Sequence, residues 1–223
     1  MKLRLEDRNR AIKLRIQGKT YKEILEIIPD LPKSTLSGWL KNFKLNAEQE
    51  KRLKENIEKI TNNARIKSAW TKRRKKQEKI DRIHKEAKAE LPKLISNSLF
   101  LVGISLYWAE GGKTQEAVQF SNSDPRLIKI MMKWFKEICN VPSNKLKIHI
   151  YIHGIYKKEN CEKFWSEVTR IPVSSFGKTT YKQTIHKVKK NLSYKGVCRI
   201  DINNVDLFRK ITGWQSGVFE KFY

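Results

Sequence analysis

Residues 145–153 read KLKIHIYIH, and their alternation sets the fold class of the chain's second half. Leu146, Ile148, Ile150 and Ile152 take one side of a period-two pattern, while Lys145, Lys147, His149, Tyr151 and His153 take the other. Successive strand side chains point to opposite faces, so the segment predicts a sheet with one apolar face and one face suited to anions. A second strand is expected over 197–203, with Arg199, Asp201 and Asn203 lining a neighbouring position, and another over 117–121. Asp124 as cap and Pro125 as first helical residue open a helix with Leu127, Met131, Trp134 and Ile138 on one face. Further helices are expected over 162–169 and 206–211, with a basic stretch over 178–190. Upstream, 94–109 is apolar nearly all round, which predicts a helix buried on several sides or packed against a second copy of itself. The reading is an α+β domain over 92–223 with an antiparallel sheet.

Residues 1–46 carry three short helical patterns separated by punctuation. The first runs over 8–17, with Ile12 and the run from Leu14 to Ile16 inward, and Gly18 ends it. Thr20 caps the second, whose apolar face is Ile24, Leu25, Ile27 and Ile28. Pro29 and Pro32 bracket a turn containing Asp30, and the third helix begins near Ser34 with Leu36, Trp39 and Leu40 inward. That order leaves Lys33, Ser34, Ser37 and Lys41 on the outer edge of the third helix, in reach of the phosphates or base edges of a duplex. Trihelical units also serve as docking bundles, so that alternative stays open. Residues 47–91 contain no Gly and no Pro, and Leu53, Ile57, Ile60 and Ala64 recur at helical steps, which predicts a basic helical linker. Its apolar stripe gives way to TKRRKKQEK at 71–79, either a solvated helix face or a contact to a nucleic-acid backbone.

Composition narrows the partner. The 223 residues hold 48 Lys+Arg against 23 Asp+Glu, a formal net charge of +25. A polyanionic partner is the simplest reason for a chain to tolerate that much self-repulsion. The surplus is spread along the chain, with 26 basic and 13 acidic residues in 1–92 and 22 and 10 in 93–223. MKLRLEDRNR has no apolar signal region, and no run approaches the roughly 18 apolar residues of a membrane span, so the expectation is a cytoplasmic protein with no membrane partner. Cys139, Cys161 and Cys198 are far apart with no CxxC spacing, and read as reduced packing residues. His149 and His153 stand four apart on a strand rather than a helix and have no Cys beside them, which argues against zinc.

Two motifs carry resemblances. GKTYKEILEIIPDLPKSTLSGWLK, over 18–41, resembles the helix-turn-helix of resolvase-like and transposase-like proteins, with a Pro-rich stretch over 28–33 where that family has a Gly in the tight turn. GISLYWAEG, over 103–111, resembles the LAGLIDADG motif of homing endonucleases, and the stretches VQFSNSDPRLIKIMMKWF, KIHIYIHG, FWSEVTRIPVSSFGKT and CRIDINNVDLFRKITGW extend the similarity over roughly 94–215. On its final Ala-acid-Gly, Ser105 matches the helix-interface glycine, Ala109 the second small residue and Glu110 the metal-binding acid, whereas Trp108 replaces the first acid.

The second resemblance implies a sheet that follows a DNA groove and a Mg²⁺ held by acids from two motifs. Only one motif is present, so it also implies a homodimer joined at Ser105 and Ala109, with Glu110 as the catalytic and metal-binding residue on double-stranded DNA. A plain acid paired with Lys113 is the other reading of Glu110. Two functions follow: a metal-dependent site-specific endonuclease, or a helix-turn-helix transcriptional regulator that keeps the scaffold without the chemistry and needs no cofactor. A recombinase accessory protein ranks behind both, because no Ser, Tyr or carboxylate cluster for that chemistry is found.

Overall fold

A computed structural model describes residues 4–113, 115–183 and 193–223. Within them lie eight α-helices and a four-stranded sheet, in a chain that divides into two compact units, Met1–Lys76 and Gln77–Tyr223. The segment expected as a linker, 47–91, is shared between these units, because one helix, α4 (Ala47–Leu94), belongs to both.

The first unit begins with α1 (Leu5–Ile16), α2 (Tyr21–Ile27) and α3 (Lys33–Leu40). Ala11, Ile24, Ile28, Leu31, Leu36 and Leu40 form its core, with Trp39 half-buried against them. Thr20 caps α2 in a reciprocal arrangement: its hydroxyl accepts from the Glu23 N–H, and the Glu23 carboxylate accepts from the Thr20 N–H at 2.8 Å. The tight turn ahead of α3 uses Asp30 at φ 59°, a left-handed conformation that Asp tolerates better than most residues, and Arg4 donates to the Asp30 carbonyl at 2.8 Å. The turn is therefore made without the glycine. Asn46 opens α4 by accepting from the Gln49 N–H, and Asn56 ties that helix to the Gly18 carbonyl at 2.9 Å and to Glu23 at 2.7 Å.

In the second unit α4 runs through Pro92 and stops two residues later. Proline removes one hydrogen bond to the preceding turn, and the chain turns out at Ser96. The expected helix over 94–109 is accordingly α5, Ser98–Glu110, with Asn97 accepting from the Phe100 N–H as its cap. Next come β1 (Val118–Asn122), α6 (Pro125–Glu137), β2 (Lys147–His153), α7 (Cys161–Thr169), β3 (Thr180–Lys182), β4 (Val197–Ile202) and α8 (Val205–Phe222). The strand order is β1-β4-β2-β3. β4 is antiparallel to β1 and β2, but β3 runs parallel to β2, so the sheet is mixed rather than antiparallel throughout.

The even positions behave as their pattern predicts, with Ile148, Ile150 and Ile152 of β2 buried, and Leu146 just ahead of the strand buried as well. They join Val118, Phe120, Cys198, Ile200 and Ile202 in one core under the helices, where complete burial of a side chain such as Phe120 contributes about 1.5–3 kcal/mol. In α6 the buried face is Ile128, Met131, Met132, Trp134 and Phe135; Leu127 and Ile138, expected inward, are half-buried. α8 extends far past the expected 206–211. Its glycines allow close packing on α4: a Cβ on Gly213 would stand 2.9 Å from the Ala87 Cβ, and one on Gly217 would stand 2.3 Å from Leu91 Cδ1. Glu90 accepts from the Trp214 indole at 3.0 Å and pairs with Lys210 at 2.8 Å in the same interface. No helix among the described residues is long and apolar enough to cross a membrane.

Candidate nucleic-acid interface

Three surfaces collect the residues singled out by the sequence. The first is the outer edge of α3. Lys33, Ser34 and Ser37 on that helix and Lys41 at its end are all exposed, while Leu36 and Leu40 hold the opposite side in the core. Positions i, i+1, i+4 and i+8 fall within one quadrant or so of a helix, so the four side chains share a face.

The second surface is the polar side of the sheet in the second unit. Lys147 is exposed and His149, Tyr151 and His153 are half-buried, as the odd positions of β2. Register places His149 opposite Arg199 and Lys147 opposite Asp201 on β4, with Gln119 and Ser121 of β1 beyond them. Lys145 does not join this face. It closes a short 3-10 turn ahead of the strand, since Pro142 starts a tight turn over Ser143–Lys145. Asn203 likewise lies past the end of β4.

The face is less uniformly cationic than the residue types imply. Asp201 accepts from Arg199 Nε at 2.8 Å and lies 3.5 Å from His149 Nε2, so one carboxylate offsets part of the positive charge. The Arg199 guanidinium also lies 5.1 Å from the centre of the Tyr151 ring, and the Lys182 ammonium 5.7 Å from it. Sequence reasoning passed over Lys182, because Thr180–Lys182 is three exposed residues within a basic run and shows no alternation. The rest of that run, 184–190, lies outside the described residues. Ser121, Tyr151, His153, Lys182, Tyr194 and Arg199 line a hollow of about 380 Å³ on this side of the sheet.

The third surface is on α5. One side of this helix is buried through Phe100, Gly103, Ile104 and Tyr107. Gly103 is where α6 comes close, since a Cβ there would stand 2.0 Å from Trp134 Cδ1. The close helix approach inside one copy is thus made at Gly103, and Ser105 and Ala109 remain on the outside. With Leu101, Val102 and Trp108 they form an exposed stripe, in which the three large side chains are 37%, 46% and 39% exposed. The helix is apolar all round but covered on one side only.

Glu110 is the last residue of α5 and is exposed. Gly111 bridges to Phe120, and the Gly112 N–H donates to the Gln119 carbonyl at 2.9 Å, which ties this helix end to the first strand. The helix dipole is unfavourable to an anion there by a few tenths to about 1 kcal/mol. Among the described residues no hydrogen bond or ion pair offsets it, and the pairing with Lys113 is not formed. The same residues contain no group of three or more His, Cys, Asp or Glu able to hold a metal. Within one copy the donor set at this point is a single carboxylate, which does not make a Mg²⁺ site by itself.

The three cysteines are free, and burial pushes the Cys198 thiol up to about 12. Comparison of the chain with family models, with curated proteins and with solved structures gave no match in any of the three.

Proposed function

We propose that this chain is a sequence-specific double-stranded DNA-binding protein. It reads the major groove with α3, in the manner of a helix-turn-helix, and follows the duplex with the polar side of its sheet. The observation that carries the reading is the α3 edge: Lys33, Ser34, Ser37 and Lys41 share an exposed face on a helix whose other side is anchored in a three-helix core. Lysines there contact phosphates, and serines donate to or accept from base edges. Exchanging Lys33 and Lys41 together for Ala is expected to weaken binding to a selected duplex by at least tenfold in an anisotropy titration, with the fold intact by circular dichroism. Unchanged affinity would remove α3 from the interface.

The proposal extends to a homodimer paired along α5, because the exposed stripe of Leu101, Val102, Ser105, Trp108 and Ala109 has small residues at i and i+4, where a second helix approaches closely. In such a pair Glu110 from each copy would hold a Mg²⁺, whose chemistry is to activate a water and stabilise the charge developing on a phosphodiester. The exposed, unpaired state of Glu110 at a helix C-terminus favours this endonuclease reading. Trp108 in place of a first acid, with one carboxylate per copy, favours the second reading, a transcriptional regulator that binds without cleaving and needs no cofactor. Incubation with Mg²⁺ and a supercoiled library of target sites separates them. The endonuclease predicts nicking by wild type and none by Glu110→Gln; the regulator predicts intact DNA bound equally by both.

A further inference from the structure

The helix α4 has a stretch that none of the three surfaces above uses. From Ile57 to Lys79, more than six turns of helix, every residue is exposed, and Lys79 at the far end pairs with Asp206 at 2.7 Å. Between Glu58 and Glu78 there is no acidic residue, while Lys59, Arg65, Lys67, Lys72, Arg73, Arg74, Lys75 and Lys76 supply eight cations. At 100° per residue these cations fall on all sides of the helix rather than along one stripe. Like charges at i and i+3 or i+4, such as Lys72 with Lys75 and Lys76, disfavour the helix by a few tenths of a kcal/mol per pair.

Such a segment is matched by a polyanion that lines it on more than one side. The major groove of a duplex is roughly 12 Å wide with phosphates on both walls, and a helix with its side chains is about 10–12 Å across. Lysines and arginines around the whole circumference suit both walls at once, and with no single presented face they read backbone rather than sequence. We propose that residues 59–76 of α4 are a second, sequence-independent DNA grip that contacts phosphate alone. The inference rests on the duplex-binding reading and adds to it where the affinity comes from.

The test is the salt dependence of binding by the full chain to a labelled duplex of random sequence. Each phosphate contact contributes about 0.9 to the slope of log K against log salt, so Lys72→Gln/Arg73→Gln/Lys75→Gln should lower that slope by about 2 to 3. Lys51→Gln/Lys54→Gln/Lys85→Gln removes the same charge from exposed positions of the same helix outside the acid-free stretch. It should lower the slope by less than 1. Equal loss in the two triple variants, or an unchanged slope in the first, overturns the grip while leaving duplex binding standing. A wild type that does not bind duplex at all overturns both. If the first variant loses affinity for an RNA hairpin and none for duplex DNA, the surface belongs to RNA and the proposal falls.

Discussion

Asp201→Asn turns the sheet's charge balance into a measurable effect. The carboxylate accepts from Arg199 Nε at 2.8 Å and faces His149 at 3.5 Å, so on the proposed DNA-binding reading it holds back a cation that a phosphate would otherwise meet. The amide keeps the shape and an acceptor oxygen but removes the charge. One additional phosphate contact should steepen the slope of log K against log salt by about 0.9, so between 50 and 200 mM salt the variant should lose about 3.5-fold more affinity than wild type. Its binding at 50 mM should be tighter. Weakening a charge-assisted hydrogen bond at a site whose side chain is 16% exposed should cost stability of about 1–2 kcal/mol, read as a lower Tm with the fold retained at the assay temperature. The assay is an anisotropy titration at four salt concentrations, with thermal melts on the same samples. A folded variant with the wild-type slope, or a shallower one, would refute the claim that this side of the sheet faces DNA.

Other consequences follow from the same geometry. Burial draws the Glu23 carboxyl upward, but the N–H and hydroxyl of Thr20, with Asn56 and Lys19, outweigh it and hold it at about 2. A folded value below the unfolded one stabilises above the unfolded pKa, so the first unit should lose stability as pH falls from about 4.5 toward 2, and Glu23→Gln should flatten that loss in acid melts. Gly213→Val should destabilise by roughly 1–3 kcal/mol in urea titrations, because Ala87 Cβ and the His84 backbone occupy the needed space; a neutral result would mean that α8 does not pack on α4 in this way. Leu101→Asp should leave a folded monomer in sedimentation if α5 pairs copies, whereas an assembly equal to wild type would assign the stripe to another role.

Much of the architecture was readable because its causes are local. The β2 alternation, the Asp124-Pro125 helix start and the Thr20 cap each depend on a few neighbouring residues, and each appears where the pattern puts it. The misses come from distant contacts. Gly213 and Gly217 look like helix breakers, yet their lack of side chains lets α8 lie against α4, so the helix continues. β3 is too short and exposed to show a pattern, and its parallel pairing to β2 depends on a connection through α7. Within the candidate site, residue types were legible but their partners were not. Asp201 spends its charge on Arg199 and His149, and the close helix approach of α5 is made at Gly103 against Trp134, while Ser105 and Ala109, the positions expected to meet a second copy, stay exposed. The stripe on α5 was half legible, since an all-apolar helix announces two faces to cover without saying that the chain covers one.

The central claim is that α3 and the polar side of the sheet lie against a duplex. Hydrogen–deuterium exchange of the full chain, with and without a selected target duplex, measures this directly. Slower exchange in 33–41 together with 147–153 and 197–202 is the predicted result. Exchange unchanged in all three segments while the duplex is bound would contradict it.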